Sequence, residues 1–361
     1  MAFTLNSYPV AYRAKFSDGA WSDEYLEKPH RSCEEEAAMG AEERAALQSS
    51  RNLYDDMPLV NYTSQYGLGC FEGLKAFPQK DGGLAIFRPE RNAARFARSM
   101  QGLRMPPFPE ATFVEACLEI VRRNAKLGFL PRYDAAWEKD SYMSAGSLYI
   151  RPFTIAEGGI GVSLSSRPWV CVIATPVGAY FSSGNSGAVV TDKIRATPKG
   201  TGWIKAASNY TIPTLAKREA EEAGYMECIF LDSTHRKYIE EGSSCNIFFY
   251  LKSGELVTPE LGDTILPGIT RASIIDLACD MGVKTSERPI SIEEALSEAK
   301  ECFVSGTAAG AVPIGSITWN GNKTVFGDGK IGELAAKIRD TLKGIQYGAL
   351  PDPKGWMVKI L

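Results

Sequence analysis

Apolar residues recur every three or four positions along several stretches of the chain, which is the spacing of a helix that buries one face. The stretch 89–100 also begins with proline, a residue that suits the first turn of a helix. Further helices are predicted over 111–126, 212–223, 270–281 and 331–342. Helices are therefore expected in both halves of the chain.

Short continuous apolar runs lie between these helices and are typical of buried strands. The first 60 residues add only an acidic segment, 34–43, that resembles a solvated helix, and no function is assigned to them. Strands and helices thus mix in both halves, which indicates an α/β or α+β protein. The strand-like runs are LAIF from Leu84, SLYIRPFTI, PWVCVIATPV, MECIFL, NIFFYL and ELVTP.

A run of small and polar residues, FSSGNSG, interrupts this pattern at 181–187 and has the composition of a linker. A chain of 361 residues is long enough for two domains with separate cores. We therefore predict a smaller N-terminal α/β domain over 1–180, an interdomain linker over 181–192 and a larger C-terminal domain over 193–361.

The composition, with 44% hydrophobic and 23% charged residues, is that of an ordinary folded protein. A formal net charge of −3 offers no general attraction to nucleic acid or to anionic lipid, so neither is expected as a partner. No signal-like segment and no apolar run of about 18 residues occurs, so a cytoplasmic location is expected. The 8 cysteines are scattered without a CxxC pair, and neither a metal site nor a disulfide framework is predicted.

Only two histidines occur, His30 and His235, and this limits the catalytic mechanisms that could depend on histidine. A Ser–His–Asp triad or a histidine general base would have to use one of them, and His235 lies in DSTHRKY, which is typical of a solvated turn. The general base is therefore expected to be another residue, and lysine is the next candidate.

Phosphate binding would need a device other than the common glycine-rich loops. GLGCFEG, at 67–73, has three residues where a dinucleotide fingerprint has two, so a tight turn is the better interpretation, and no GxxxxGK[ST] loop occurs. TILPGITR, at 264–271, predicts a helix that begins near Thr270, and its first amides would favour an anion. Most helix starts bind only water, so this segment alone does not indicate phosphate.

Two further segments carry candidate chemistry. Lys205, in GWIKAASNY, is followed by small residues that leave room for a planar ligand, and Glu240 and Glu241, in IEEGSSCNIFF, adjoin an apolar run. Taken singly, a solvated lysine and solvated turn carboxylates are the default interpretations.

The order of these segments is more specific than any one of them. Lys205, E-x-S-x-x-N-I-F from Glu241, L-x-T from Leu256 and L-P-G-I-T-R from Leu266 lie within about 65 residues and resemble the signature of the fold-type-IV pyridoxal-phosphate enzymes. From Tyr66 to Gly348 the chain is similar to branched-chain amino acid aminotransferases. The resemblance implies their two-domain architecture, with pyridoxal 5'-phosphate between the domains. The resemblance to this family also rests on the segments YGLGCFEGLKAF, FRPERNAARFARSM, SLYIRP, PVGAYF, KAASNY and GTAAGAVP.

The resemblance also implies roles for individual residues around the cofactor. Lys205 would bind it as a Schiff base and later carry the proton, Glu241 would keep the pyridine nitrogen protonated, and Tyr210 would hydrogen-bond the ring oxygen. The cofactor phosphate would be held by Arg95, by the amides of Ile269 and Thr270, and by the hydroxyls of Thr307 and Ser244.

For the substrate, the resemblance implies an aromatic wall around a branched aliphatic side chain. Arg151 would meet the distal carboxylate of glutamate in the same pocket. Core packing is the alternative role of each aromatic residue. A CxxC pair that follows GTA in mammalian members is replaced here by AGAVP, so thiol regulation is not expected. The wall residues would be Tyr66, Phe71, Tyr149 and Tyr180, and the α-carboxylate would lie on the backbone of Ala308 and Ala309.

The implied reaction is transfer of the amino group of leucine, isoleucine or valine to 2-oxoglutarate, which gives branched-chain 2-oxo acids and L-glutamate, in a homodimer. The alternatives are a D-amino-acid or R-amine transaminase, an aminodeoxychorismate-lyase-like enzyme and a non-catalytic cofactor-binding protein. YIRP and GAYF argue against the first, a lyase would not need Arg151, and a binding protein would not need both Glu241 and a substrate wall.

Overall fold

A computed structural model of the chain describes residues 5–178, 186–307 and 310–361. The chain divides into two compact units, and helices and strands mix in both. Unit 1 comprises Met1–Tyr180, Lys205–Ser208 and Gly344–Leu361, and unit 2 comprises Phe181–Ile204 and Asn209–Lys343.

The division differs from the predicted domains, because two segments of the predicted C-terminal domain belong to unit 1. Residues 205–208 do so because Ala206 forms an antiparallel bridge with Cys70. The C-terminal segment does so because the strand Met357–Lys359 pairs with Leu84–Phe87. Both pairings are distant along the chain, so the order of apolar runs does not reveal them.

The predicted linker 181–192 also differs from the structure. Gly187–Val190 is a strand that pairs on both sides, and Ala188 within it is buried. Residues 181–185 of the predicted linker lie outside the described residues. The small residues at 186 and 187 therefore lead into a sheet rather than extend a linker.

The described residues of unit 1 are built on one antiparallel sheet of seven strands. The strands are β1 (Val10–Ser17), β2 (Ala20–Glu27), β3 (Leu74–Pro78), β4 (Leu84–Phe87), β5 (Ser147–Glu157), β6 (Arg167–Val177) and β17 (Met357–Lys359). Their order across the sheet is β17-β4-β3-β5-β6-β1-β2. Strands β5 and β6 pair along their whole length. Because alternate residues of a strand share a face, β5 presents Tyr149 and Arg151 on the same side.

The edge hairpin of β1 and β2 is not predicted by the apolar pattern, because β2 is largely exposed and reads AWSDEYLE. The predicted helices 89–100 and 111–126 are confirmed as α4 (Pro89–Gly102) and α5 (Glu110–Lys126), which pack through Phe96 and Phe113 with ring centroids 5.2 Å apart. The acidic segment 34–43 is divided between two helices. The helices of unit 1 are α1 (Cys33–Ala38), α2 (Ala41–Arg51), α3 (Tyr62–Tyr66), α4 (Pro89–Gly102) and α5 (Glu110–Lys126).

The strands of unit 2 are β7 (Gly187–Val190), β8 (Glu227–Leu231), β9 (Ile239–Gly242), β10 (Asn246–Leu251), β11 (Glu255–Thr258), β12 (Lys284–Glu287), β13 (Ala299–Gly306), β14 (Gly310–Pro313), β15 (Ser316–Trp319) and β16 (Asn322–Val325). Within the described residues they form two sheets of five strands, ordered β12-β11-β10-β13-β14 and β16-β15-β7-β8-β9. The remaining helices are α6 (Thr211–Glu222), α7 (Ile269–Asp280), α8 (Ile292–Glu298) and α9 (Glu333–Gln346). Among the helices of the described residues, none combines the length and the apolar character needed to span a bilayer.

Strand β10 is buried on both faces. Ile247 and Phe249 belong to one apolar cluster. Phe248 belongs to a second cluster, which includes residues of α7 and α9, and it stacks on Phe303 with ring centroids 5.0 Å apart. Because both faces are covered, the segment NIFFYL reads as a continuous apolar run instead of an alternating one.

Candidate active site

Lys205 is held in unit 1 by main-chain hydrogen bonds on both sides. The Phe71 amide donates to the Lys205 carbonyl at 3.1 Å, and the Ala207 amide donates to the Gly69 carbonyl at 2.8 Å. The Lys205 amide donates to the Ser99 hydroxyl of α4 at 3.2 Å. These bonds determine the position from which the Lys205 side chain extends.

The Lys205 side chain lies against an aromatic wall formed by Phe71 and Tyr149, which also holds Arg151. The Phe71 ring centroid is 4.9 Å from the Lys205 Nζ and 4.6 Å from the Arg151 Cζ. Arg151 Cζ is 5.1 Å from the Tyr149 ring centroid, and its Nη2 donates to the Tyr149 hydroxyl at 2.7 Å. Aromatic faces attract cations at such distances. Four predicted site residues are thus brought together.

One feature of this group suits an anionic ligand beside the wall, and another explains how Tyr149 and Arg151 pack together. The Nε of Arg151 is buried and has no hydrogen-bond partner among the described residues. An unpaired buried donor is costly, so a ligand that accepts from it would recover that cost. A Cβ on Gly73 would lie 2.1 Å from the Tyr149 hydroxyl. Glycine at this position therefore lets Tyr149 reach Arg151.

Of the other predicted wall residues, the structure describes Tyr66, and its described contacts do not join it to this group. Tyr66 is 38% exposed, and its hydroxyl accepts a hydrogen bond from the Gly161 amide at 3.1 Å. Tyr180, Ala308 and Ala309 lie outside the described residues.

A buried ion pair joins Arg95 to Glu72, the residue after Phe71. Arg95 donates from Nε to Oε1 at 2.7 Å and from Nη2 to Oε2 at 2.9 Å, and Asn92 Nδ2 donates to Oε2 at 2.7 Å. Burial raises the pKa of the Glu72 carboxyl, but the charges of Arg95 and Lys205 and these hydrogen bonds outweigh it, so the pKa lies below its usual value. Glu72 is therefore ionised at neutral pH, and it engages two nitrogens of the predicted phosphate ligand Arg95.

In unit 2, the carboxylate of Glu241 extends from β9 and is buried. Its Oε1 accepts a hydrogen bond from the Leu266 amide and lies 3.4 Å from Arg195 Nη2. Arg195 donates from Nη1 to the Thr264 carbonyl at 2.7 Å. Burial raises the pKa of the neighbouring Glu240, in spite of a hydrogen bond with Thr264 and the charge of Arg195. Of two adjacent acids, Glu241 thus has the closer cationic partner.

The start of α7 has the form expected of an anion site. Its N-cap is Gly268, which supplies no side-chain cap, and Thr270 in the first turn is buried. Asn246 Nδ2 donates to the Leu266 carbonyl at 3.0 Å, and a Cβ on Gly268 would lie 2.0 Å from Asn246 Oδ1. The LPG turn is therefore tied to β10, while the first amides of α7 receive no side-chain cap.

The remaining predicted residues lie at the ends of elements in unit 2. Tyr210 is half-buried and occupies the N-cap position of α6. Ser244 is exposed in the turn between β9 and β10, and Thr307 is half-buried directly after β13. Their hydroxyl groups therefore remain candidates by position alone.

A family model described as Amino-transferase class IV matches residues 69–317. The chain belongs to the class IV amino-transferases. A branched-chain-amino-acid aminotransferase of Mycolicibacterium smegmatis is 39% identical over 307 residues, which cover 82% of this chain and 80% of that protein.

Two solved structures are similar to this class IV amino-transferase. The T.th. branched-chain amino acid aminotransferase with pyridoxamine 5'-phosphate matches with a TM-score of 0.73 and 29% identity, over 85% of this chain and 94% of that chain. The enzyme of the same name from Thermobaculum terrenum, in its PLP form, matches with a TM-score of 0.71 and 26% identity over 85% and 94%. The T.th. enzyme is also known with 4-methylvaleric acid and with N-(5'-phosphopyridoxyl)-L-glutamate.

These similarities confirm the predicted family, the branched-chain aminotransferases, and the fold-type-IV architecture. They also confirm the predicted enzyme class, and the predicted cofactor is of the kind that the two solved neighbours carry.

Two residues beside the predicted site of this class IV amino-transferase are not found by sequence reasoning. Glu72 has a detectable signal, because an acid inside the apolar segment CFEGLKAF is costly to bury without a partner. Arg195 has none, because KIRATP resembles an ordinary solvated loop.

Proposed function

We propose that this chain transfers the amino group of L-leucine, L-isoleucine or L-valine to 2-oxoglutarate, with pyridoxal 5'-phosphate as cofactor. The observation that carries the proposal is the group of Lys205 and Arg151 on the aromatic wall. It combines an amine for the cofactor, an apolar surface for a branched side chain and a cation for a second carboxylate. The ligands of the T.th. enzyme reported above, an aliphatic acid and a glutamate adduct, are of these two kinds.

The cofactor residues are proposed from the chemistry of the donors. Pyridoxal phosphate supplies an electron sink for the α-carbon of an amino acid when it is bound. Lys205 Nζ binds the cofactor covalently and then moves the proton at the substrate α-carbon. Glu241 holds a proton on the pyridine nitrogen, and Tyr210 hydrogen-bonds the ring oxygen. The phosphate is assigned to Arg95, to the amides of Ile269 and Thr270 at the uncapped start of α7, and to the hydroxyls of Thr307 and Ser244.

Arg151 gives the pocket its second substrate. A leucine side chain needs only the apolar wall, whereas glutamate brings a carboxylate whose burial is costly unless a cation meets it. The Nε of Arg151, which has no hydrogen-bond partner in the part of the chain that the structure describes, is a donor for that carboxylate. The other substrate contacts stay proposals: the aromatic residues Tyr66 and Tyr180, and the backbone of Ala308 and Ala309.

We also propose that the enzyme is a cytoplasmic homodimer. The loop after β5 exposes three large apolar side chains, those of Ile160 (85%), Val162 (87%) and Leu164 (56%). Contiguous exposed apolar residues of this kind are typical of an interaction surface. Sedimentation of Val162→Asp should give monomers where the parent chain gives dimers.

An amino-donor panel tests the function. Purified holoenzyme is incubated with 2-oxoglutarate and one donor at a time, and L-glutamate is measured. Glutamate should form with L-leucine, L-isoleucine and L-valine and not with their D-isomers. Activity confined to D-amino acids or R-amines, or pyruvate release from aminodeoxychorismate without glutamate formation, would contradict the proposal.

A further inference from the structure

Glu72 is a fully buried acid that has no role in the site as proposed above. Its Oε1 accepts from Arg95 Nε, and its Oε2 accepts from Arg95 Nη2, from Asn92 Nδ2 and, at 3.2 Å, from the Gly73 amide. Its own amide donates to the Pro152 carbonyl at 2.7 Å. A carboxylate with so many partners is held in one orientation.

This arrangement determines how Arg95 can meet a ligand. A bidentate pair through Nε and Nη2 engages one edge of the planar guanidinium, so it fixes the plane of the group and the direction in which its opposite edge faces. Arg95 extends from α4 and is itself buried. Glu72 therefore limits both the rotation and the tilt of the guanidinium.

We propose that Glu72 is a positioning residue, which orients the guanidinium of Arg95 toward the cofactor phosphate. The inference rests on the proposed function, since it needs Arg95 at the phosphate. It differs from two other roles of a buried acid. An acid that only stabilises the fold would affect every ligand of the site equally. An acid that mainly neutralises Arg95 would weaken its attraction for phosphate, so its removal would strengthen cofactor binding.

The test compares a phosphorylated ligand with its unphosphorylated counterpart. Apoenzyme of the parent chain and of Glu72→Gln is titrated with pyridoxal phosphate and with pyridoxal, and binding is followed by visible absorbance. The affinity for pyridoxal phosphate should fall roughly 10- to 100-fold, the range seen when an outer-shell partner is lost at metal sites. The affinity of Glu72→Gln for pyridoxal should stay within about twofold of the parent value, because pyridoxal has no phosphate. A tenfold change would correspond to the interaction free energy of one pKa unit.

A double-mutant cycle shows whether Glu72 acts through Arg95. In an Arg95→Gln background, Glu72→Gln should have no further effect on the affinity for pyridoxal phosphate, because the group that it orients is gone. Equal loss of affinity for both ligands, unchanged or tighter binding of pyridoxal phosphate, or a full effect in the Arg95→Gln background overturns the proposal.

Two further variants keep the test decisive if Glu72→Gln fails to fold. Asn92→Ala removes one partner of Oε2 and leaves both charges, so it should weaken pyridoxal phosphate binding roughly threefold to tenfold and spare pyridoxal. No selective loss in this variant also overturns the proposal. Glu119→Gln is the matched control, because Glu119 pairs with Arg123 on the neighbouring helix α5 (2.9 Å), and it should change neither affinity.

The failure of this inference is distinguishable from failure of the proposed function. If the parent enzyme forms glutamate from L-leucine and Arg95→Gln weakens cofactor binding, but Glu72→Gln does not, only the positioning role is wrong. If Arg95→Gln leaves cofactor affinity unchanged, Arg95 does not hold the phosphate, and both assignments are overturned.

Discussion

Each unit contains a buried pair of one arginine and one glutamate, and the two pairs differ in their geometry and in the groups that surround Glu72 and Arg195. In unit 1, Glu72 receives two hydrogen bonds of 2.7 and 2.9 Å from Arg95 and further bonds from its surroundings. In unit 2, Glu241 lies 3.4 Å from Arg195, which donates at a shorter distance, 2.7 Å, to the Thr264 carbonyl.

The difference indicates opposite roles for the same two residue types. Where the carboxylate is saturated, the arginine is the group proposed to meet a ligand, and Glu72 orients Arg95. Where the arginine is bonded to the main chain, the carboxylate is proposed to meet the ligand, and Arg195 lies beside Glu241 as a cationic neighbour. The role of each residue in these ion pairs is therefore indicated by the other hydrogen bonds around the pair, and not by the arginine–glutamate contact alone.

The largest expected effect comes from the lysine whose charge acts on the first pair. Lys205→Ala should still bind cofactor but lose its covalent attachment and visible absorbance, and turnover should fall by at least about 10³-fold, as for other covalent catalytic groups. Absorbance spectra and steady-state rates measure both. Lys199→Ala is the control, because Lys199 is an exposed lysine nearby in the chain. If Lys199→Ala instead lost both properties, Lys199 would be the anchor.

Glu241→Gln removes the carboxylate from the pair of Glu241 and Arg195 in unit 2. Without a negative charge the pyridine nitrogen would lose its proton, so kcat should fall about 10²- to 10³-fold, the size expected when a preorganised electrostatic group is removed. Cofactor affinity, measured by equilibrium titration, should change much less. Glu240→Gln, at the adjacent position, should keep kcat within about threefold of the parent value. This change is much smaller than the loss expected for Glu241→Gln. Equal losses in both variants would remove the special role of Glu241.

Arg151 sharpens the comparison, because it is an arginine that lies against the rings of Phe71 and Tyr149 instead of beside a glutamate. Arg151→Ala should slow the single-turnover reaction with glutamate roughly tenfold more than that with leucine, which corresponds to about 1.4 kcal/mol of selective stabilisation. The control is Arg167→Ala, at the exposed end of the same hairpin, where the arginine pairs with Glu157. Equal slowing of both half-reactions by Arg151→Ala would leave Arg151 with a structural role only.

The smallest effect concerns stability and pH, where Glu72 and Glu240 should behave oppositely. The pKa of Glu72 lies below its ordinary value of 4.5, so the stability that its charge contributes is present above pH 4.5 and is lost as the pH falls through the folded pKa. The pKa of Glu240 is raised by burial, so its ionisation costs stability as the pH rises above 4.5.

Thermal unfolding between pH 4 and 7 tests the expectation for Glu240. Glu240→Gln should gain on the order of 2 °C in Tm over the parent chain near pH 7, with a smaller gain near pH 4.5. A lower Tm at every pH would mean that the Glu240 carboxylate contributes a hydrogen bond that glutamine does not replace.

Local features of the chain were predictable, because they depend on neighbouring residues. The helices 89–100, 111–126 and 270–281 are observed within about two residues of their predicted ends, as expected when an apolar period defines a helix. The family also followed from local motifs, since Lys205, the glutamate segment and the LPGITR turn lie close together in the sequence.

By itself, the sequence determined the family, the cofactor chemistry and most of the helices. The tertiary structure alone decided that the C-terminal strand completes the sheet of unit 1, that Gly187–Val190 is a strand instead of a linker, and how Glu72 is satisfied. The physical reason is distance along the chain. A strand edge or a buried charge is stabilised by whichever partner the fold brings to it. That partner cannot be inferred from the composition of the chain or from the spacing of its apolar residues.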